Sequence, residues 1–197
     1  MGLLQRTGRF FFEWRDKLPV PLVLAMPVIA RPRLIGWVFG LPFVFLGEAI
    51  RVWAIMHIGP TTRTRKICAD RLVTSGPYCC CRNPLYLANL LKIAGILVIT
   101  GHPLFALATM LFYALEFCSI IPYEESFLAE KFPEQFKEYK KHVPALVPGS
   151  GKQKKFDAPA SFDVVQAVRS EKKTFLSTTA ILLTLALADI FRRRQAA

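Results

Sequence analysis

Apolar residues in this chain are clumped into runs close to the thickness of a bilayer. The clearest is residues 34–56, 23 residues that reach about 35 Å as a helix against a hydrocarbon core of roughly 30 Å. A soluble domain of 197 residues spreads its apolar positions at period 3.6 or 2. The clumping points instead to an all-α integral membrane protein. The net charge of +12 on a soluble protein suggests nucleic acid. On a membrane protein it reads as Lys and Arg gathered in cytoplasmic loops against anionic lipid. Membrane lipids are therefore the expected partners, and nucleic acid is not. There is no internal repeat, and the N-terminus lacks the apolar core and small residues of a cleavable signal.

Residues 1–17 are basic and aromatic, with Arg6, Arg9, Phe10, Phe11, Phe12, Trp14, Arg15 and Lys17. They read as an interfacial segment with rings at headgroup depth. Residues 18–30 are apolar but cover only about 20 Å as a helix and contain Pro19, Pro21 and Pro27. A first membrane segment and a re-entrant or tilted helix are both open. The 34–56 run carries Glu48 and Arg51 three apart, so on one face. Charges in a span face protein or a wet cavity; here they predict a structural ion pair or an Arg51 that lines an active site.

Residues 59–82 form a polar loop with Arg63, Arg65, Lys66, Arg71 and Arg82, the best candidate for a cytoplasmic loop. A helical hairpin follows: residues 85–100, a Gly101-His102-Pro103 turn with His102 exposed on the far side, and residues 104–121. Lys92 and Glu116 on adjacent helices suggest an intramembrane pair. Beyond Pro122, Leu128, Phe132, Phe136, Tyr139 and Val143 recur at steps of four and three, the stripe of a surface helix. Pro133 starts a new helical stretch after a break at Phe132. Residues 149–160 read as a linker, 162–173 as a short surface helix, and 175–191 as a last apolar run ended by Arg192-Arg193-Arg194. The count is about five transmembrane helices in one domain, divided as 1–56, 57–148 and 149–197. With loops 57–84 and 123–173 inside, 15 of the 26 basic residues are cytoplasmic. Arg31, Arg33 and the terminal Arg cluster conflict with that orientation.

The chemistry-bearing stretch is 74–86, Thr-Ser-Gly-Pro-Tyr-Cys-Cys-Cys-Arg-Asn-Pro-Leu-Tyr. It is a polar hinge punctuated by Gly76-Pro77 and Asn83-Pro84. If both helices of the hairpin span, Tyr123-Glu124-Glu125 returns to the same side as this hinge. There is no G-x-G-x-x-G, no G-x-x-x-x-G-K-[ST] and no H-E-x-x-H. Cys79-Cys80-Cys81 lacks the spacing of a zinc site, so no metal is expected. A cysteine triplet beside a membrane helix also fits palmitoylation.

Gly76-Pro77-Tyr78, Arg82-Asn83-Pro84-Leu85-Tyr86, Glu124-Glu125-x-x-Leu128 and Phe132…Phe136…Tyr139…Val143-Pro144…Pro148 together resemble the integral-membrane methyltransferases. These are the isoprenylcysteine carboxyl methyltransferases and the related phospholipid methyltransferases. The resemblance covers about residues 72–148, in order and in spacing. Asn83 stands where the family usually has His, Pro133 where it has Gly, and Phe136 where it has the first Tyr.

The resemblance implies an S-adenosylmethionine site on the cytosolic membrane face, built from loops and an amphipathic helix. Arg82, Asn83, Pro84, Tyr86, Glu124, Glu125 and Tyr139 would surround the cofactor. Carboxylates suit its sulfonium and amino group, Arg82 suits its carboxylate, and Tyr86 and Tyr139 suit its base or cation. The acceptor would be a lipophilic substrate from the bilayer. Methylation of a carboxylate needs alignment and exclusion of water but no base, with Arg51 and Glu125 as the catalytic candidates. Methylation of an amine makes Glu124 or Glu125 a candidate base. The rivals are a non-catalytic protein that kept the fold, with Asn83 as the lesion, and a relative of the NADPH-dependent membrane sterol reductases.

Overall fold

The computed structural model describes residues 3–59, 71–149 and 163–196. Arg63, Arg65, Lys66, Cys68 and nearly all of the 149–160 linker lie outside the described residues. Among the described residues the structure is all α-helical. It comprises α1 (Leu3–Trp14), α2 (Val20–Ile29), α3 (Leu34–Ile58), a 3₁₀ turn (Gly76–Cys79), α4 (Pro84–Thr100), α5 (Pro103–Lys131), α6 (Pro133–His142), α7 (Val164–Ser170) and α8 (Lys172–Ala196). Among the described residues three helices are long and apolar enough to cross a membrane: α3, α5, and α8 over Lys172–Arg194. Helices α2 and α4 are apolar but shorter. The ten residues of α2 reach only about 15 Å, which favours the tilted or re-entrant reading of 18–30.

Helices α3 and α4 form the tightest pair because small residues let their backbones touch. A Cβ on Gly40 would lie 2.5 Å from the Gly95 carbonyl oxygen, and one on Gly47 would lie 2.6 Å from that of Ala88. Gly36, Gly40 and Gly47 share the face of α3 that meets α4. The α4–α5 turn is as expected, with Gly101 at φ 67° ending α4. His102 is half-buried rather than exposed, because its Nδ1 caps α5 by accepting from the Phe105 N–H at 3.2 Å.

Several expectations are corrected by packing. Helix α5 does not stop at Ile121 but runs through Pro122 to Lys131. Glu124 and Glu125 therefore project from the same rigid rod as Thr109 and Glu116. Helix α1 is not isolated from the bundle. It packs along α5, where a Cβ on Gly8 would meet Tyr123 Cβ at 2.6 Å and where Phe12 is buried. Glu48 and Arg51 do not pair with each other, and Lys92 does not pair with Glu116. Lys92 reaches Glu48 at 3.3 Å, since α4 packs on α3 far more closely than on α5. Thr178 of α8 also donates to Glu48 at 2.7 Å. The expected surface helix at 162–173 is shorter, seven residues of α7. It ends at Glu171, which is fully buried.

Candidate functional site

The hinge is held from three sides. Arg82 faces Glu125 with a bidentate geometry, Nε to Oε1 at 2.9 Å and Nη2 to Oε2 at 3.1 Å. Asn83 Nδ2 adds a bond to Glu125 Oε1 at 3.1 Å and another to the Ala145 carbonyl at 3.1 Å. The segment after α6 then folds back onto the hinge. The Arg82 N–H donates to Pro144 O, the Asn83 N–H to Ala145 O, and the Gly149 N–H to Cys80 O, at 2.9, 3.1 and 2.9 Å. Arg82 Nη1 donates to the Val143 carbonyl. The amphipathic stripe supplies the support underneath, as Leu72, Phe136, Tyr139 and Val143 cluster with Leu128 and Phe132. The Tyr139 hydroxyl donates to the Tyr78 carbonyl at 2.7 Å.

The hinge opens into a cavity of about 1280 Å³. All the residues singled out from the sequence line it: Arg51, Arg82, Asn83, Pro84, Tyr86, Glu124, Glu125 and Tyr139. Their engagements differ. Glu125 is committed to Arg82 and Asn83. Glu124 faces the Tyr86 hydroxyl and lies 3.5 Å from Arg15 of the α1–α2 connection. The Tyr86 ring packs edge-on against Phe117, 5.1 Å between centroids. Arg51 is balanced by Glu171, Nε to Oε2 at 2.5 Å, and by Asn89 Oδ1 at 3.0 Å.

Glu171, Asn89 and Tyr78 were missed as functional candidates. Asn89 carries a legible signal, a lone amide inside an apolar run. Glu171 carries none, because it sits 120 residues from Arg51 in a charged tract. Tyr78 is 5% exposed, lines the cavity, and its hydroxyl oxygen has no hydrogen-bond partner. Lys173, Ser177, Thr178 and Ile181 show that α8 walls the cavity as well.

Burial also fixes protonation at the hinge. It pushes the Tyr78 and Tyr139 hydroxyls above the usual phenol range and the Cys81 thiol up to about 11. Cys79, Cys80 and Cys81 form no disulfide, and among the described residues no cluster of His, Cys, Asp or Glu is suited to a metal. Cys81 stays a protonated, inert thiol. At pH 8 it is expected to resist alkylation by iodoacetamide in the folded protein, and mass spectrometry of modified Cys81 under those conditions would contradict this. The unfolded thiol ionises near 9.0, so unfolding releases a proton above that pH. Cys81 thus lowers stability progressively as pH rises from about 9 to about 11.

A family model described as phospholipid methyltransferase matches residues 35–135, half of the chain. The chain is 36% identical over 142 residues to the cobalt-zinc-cadmium resistance protein CzcN of Cupriavidus metallidurans, covering 68% of this chain and 62% of that one. It is 33% identical over 109 residues to the nickel-cobalt-cadmium resistance protein NccN of Alcaligenes xylosoxydans xylosoxydans, covering 55% and 48%. It is 37% identical over 114 residues to protein-S-isoprenylcysteine O-methyltransferase B of Arabidopsis thaliana, covering 56% and 58%. The chain thus spans about half to three-fifths of the length of these relatives. No solved structure matches significantly.

Proposed function

The chain belongs to the phospholipid methyltransferase family, and on that premise we propose that it transfers a methyl group from S-adenosylmethionine to a lipophilic acceptor taken from the bilayer, at the cytoplasmic face. One observation carries the reading. The cavity of about 1280 Å³ exceeds the roughly 300–1,000 Å³ typical of a site for one small ligand, and its lining is segregated. The hinge end is charged and aromatic, with Arg82, Asn83, Tyr86 and Glu124. The inner end adds apolar groups, Met26, Ile93, Ile96 and Ile181, with a few polar side chains such as Thr109 and Glu116 set among them. Such a space suits a polar methyl donor at the mouth and a lipid tail within.

The mouth fits the donor chemically. Glu124 and the Tyr86 ring suit its cationic groups, and the orphaned Tyr78 hydroxyl offers a hydrogen bond. Bound there, S-adenosylmethionine supplies an electrophilic methyl group on a sulfonium. The protein's part is to align the acceptor and to exclude water. Arg82 and Glu125, committed to each other, hold the mouth's shape, while Pro84 starts α4 directly beneath it. Arg51, on the wall toward α8, is the cation that draws in a carboxylate acceptor, in competition with its present partners Glu171 and Asn89. We favour O-methylation of such a carboxylate. For an amine acceptor the base is Glu124 rather than Glu125, because Glu125 is already occupied by Arg82 and Asn83.

The test is calorimetric titration of S-adenosylmethionine into detergent-purified protein, with Asn83→His and Glu124→Gln alongside, followed by transfer of tritiated methyl to extracted lipid. The expected result is micromolar binding by the wild type and by Asn83→His, since the Asn83 amide braces Glu125 and Ala145 and carries no proton. Glu124→Gln is expected to weaken binding at least tenfold, the scale of one charge-assisted bond. Binding recovered only in Asn83→His would mean a family member that kept the fold and lost the donor. Binding by none of the folded proteins would overturn the reading.

A further inference from the structure

Helix α5 presents a polar stripe to the inner, apolar part of the cavity. Thr109, Tyr113 and Glu116 recur at helical spacing below Glu124 of the mouth, and all of them line the cavity. Two of these groups each bury an oxygen that has no hydrogen-bond partner. Glu116 is 3% exposed, and its Oε2 has no hydrogen-bond partner. Thr109 is fully buried, with its hydroxyl oxygen likewise unpartnered. Lys92 is spent on Glu48, and Arg15, which is paired with Glu124, acts on Glu116 only through its field and not through a hydrogen bond. A polar group buried in an apolar space without a partner costs free energy comparable to a lost hydrogen bond. A ligand that brings the missing donor recovers it.

The geometry points to a second recognition site within the cavity, in which Glu116 accepts a hydrogen bond from a donor group, hydroxyl or ammonium, on the tail of the lipid acceptor. This rests on the reading of the mouth as the place of methyl transfer. Glu116 lies nine residues from Glu125 along one continuous helix, about 13 Å at 1.5 Å per residue. An extended chain gains roughly 1.2 Å per bond, so the donor sits about eleven bonds from a methyl-accepting group held level with Glu125 at the mouth. Thr109 lies two turns deeper and offers a second, weaker contact. The site therefore reads a functional group at a set distance along the lipid and rejects a plain alkyl chain, which leaves the carboxylate unpaired.

The experiment is equilibrium binding of tritiated fatty acids to the full-length detergent-purified protein without methyl donor. The probes are octadecanoate and its 2-hydroxy, 12-hydroxy and 12-amino derivatives. Wild type is expected to bind at least one of the 12-substituted acids about tenfold or more tighter than octadecanoate and the 2-hydroxy acid no tighter. Preference for the hydroxy or the amino derivative distinguishes an alcohol from an ammonium. Glu116→Gln is expected to reduce the preference and Glu116→Leu to erase it. Equal binding of all probes, binding of none, or a preference that survives Glu116→Leu would overturn the proposal. Methyl transfer is read separately on the wild type. A protein that shows the preference yet methylates no lipid sinks the enzymatic reading and leaves this site standing. One that methylates octadecanoate and its 12-substituted derivatives with equal efficiency and equal affinity sinks the site and leaves the enzyme.

Discussion

Glu125→Ala is expected to abolish S-adenosylmethionine binding and to destabilise the protein by about 3–5 kcal/mol, the usual cost of removing one partner of a buried ion pair. The side chains of Arg82 and Glu125 are 8% and 11% exposed, so solvent does not take the place of the lost carboxylate. Arg82 would keep only carbonyl partners, and Asn83 would lose one of its two bonds. The return segment at Pro144 and Ala145 is tied to the same two residues, so the whole mouth loosens. Glu125→Gln keeps an acceptor for Arg82 and should fall between the two. The paired replacement Arg82→Met with Glu125→Leu separates shape from charge. It should regain much of the stability, because no buried charge is left alone. Thermal unfolding in detergent, read beside calorimetric titration, decides. A Glu125→Ala protein with wild-type midpoint and wild-type affinity would show that the clamp organises nothing.

Glu171→Ala should release the C-terminal helices from the core. Glu171 is fully buried, and its carboxylate meets Arg51 at 2.5 Å. It joins α7 and α8 to α3, while Thr178 on Glu48 makes the second tie. Truncating Glu171 strands a guanidinium that is 17% exposed. The expected loss is about 3 kcal/mol, or roughly 6–12 °C in midpoint for a chain of this size. The functional consequence follows from Lys173, Ser177 and Ile181, which wall the cavity. Lipid binding should weaken more than binding of the methyl donor, whose place at the mouth is built without α8. Limited proteolysis gives an independent readout: cleavage after Lys172 or Lys173 should quicken in Glu171→Ala and not in Glu171→Gln, which retains an acceptor. Equal protection of all three proteins would mean that α8 is held by its apolar contacts alone.

The helical hairpin was legible because Gly101-His102-Pro103 interrupts two apolar runs, and Pro133 announces α6 in the same way. The site residues were legible as a set because the hinge and the Glu124-Glu125 pair carry the family's order and spacing. Pairing was not legible. From sequence, Lys92 goes to Glu116 as the opposite charge on the next helix, and the close approach of α3 and α4 through Gly40, Gly47 and Gly95 gives it to Glu48 instead. That decision leaves Glu116 Oε2 without a hydrogen-bond partner, which is the origin of the inner site.

By itself the sequence determined that the chain is an all-α membrane protein, where its long apolar helices lie, and which residues gather at the hinge. Those properties follow from hydrophobic run length and from local turn chemistry, which act over a few residues. Only the tertiary structure decided that Arg51 answers to Glu171, that Glu125 is a brace for Arg82 and Asn83, and that α5 runs unbroken through Pro122. Those outcomes depend on which helix faces touch, and buried charges take whichever partner the packing brings within reach.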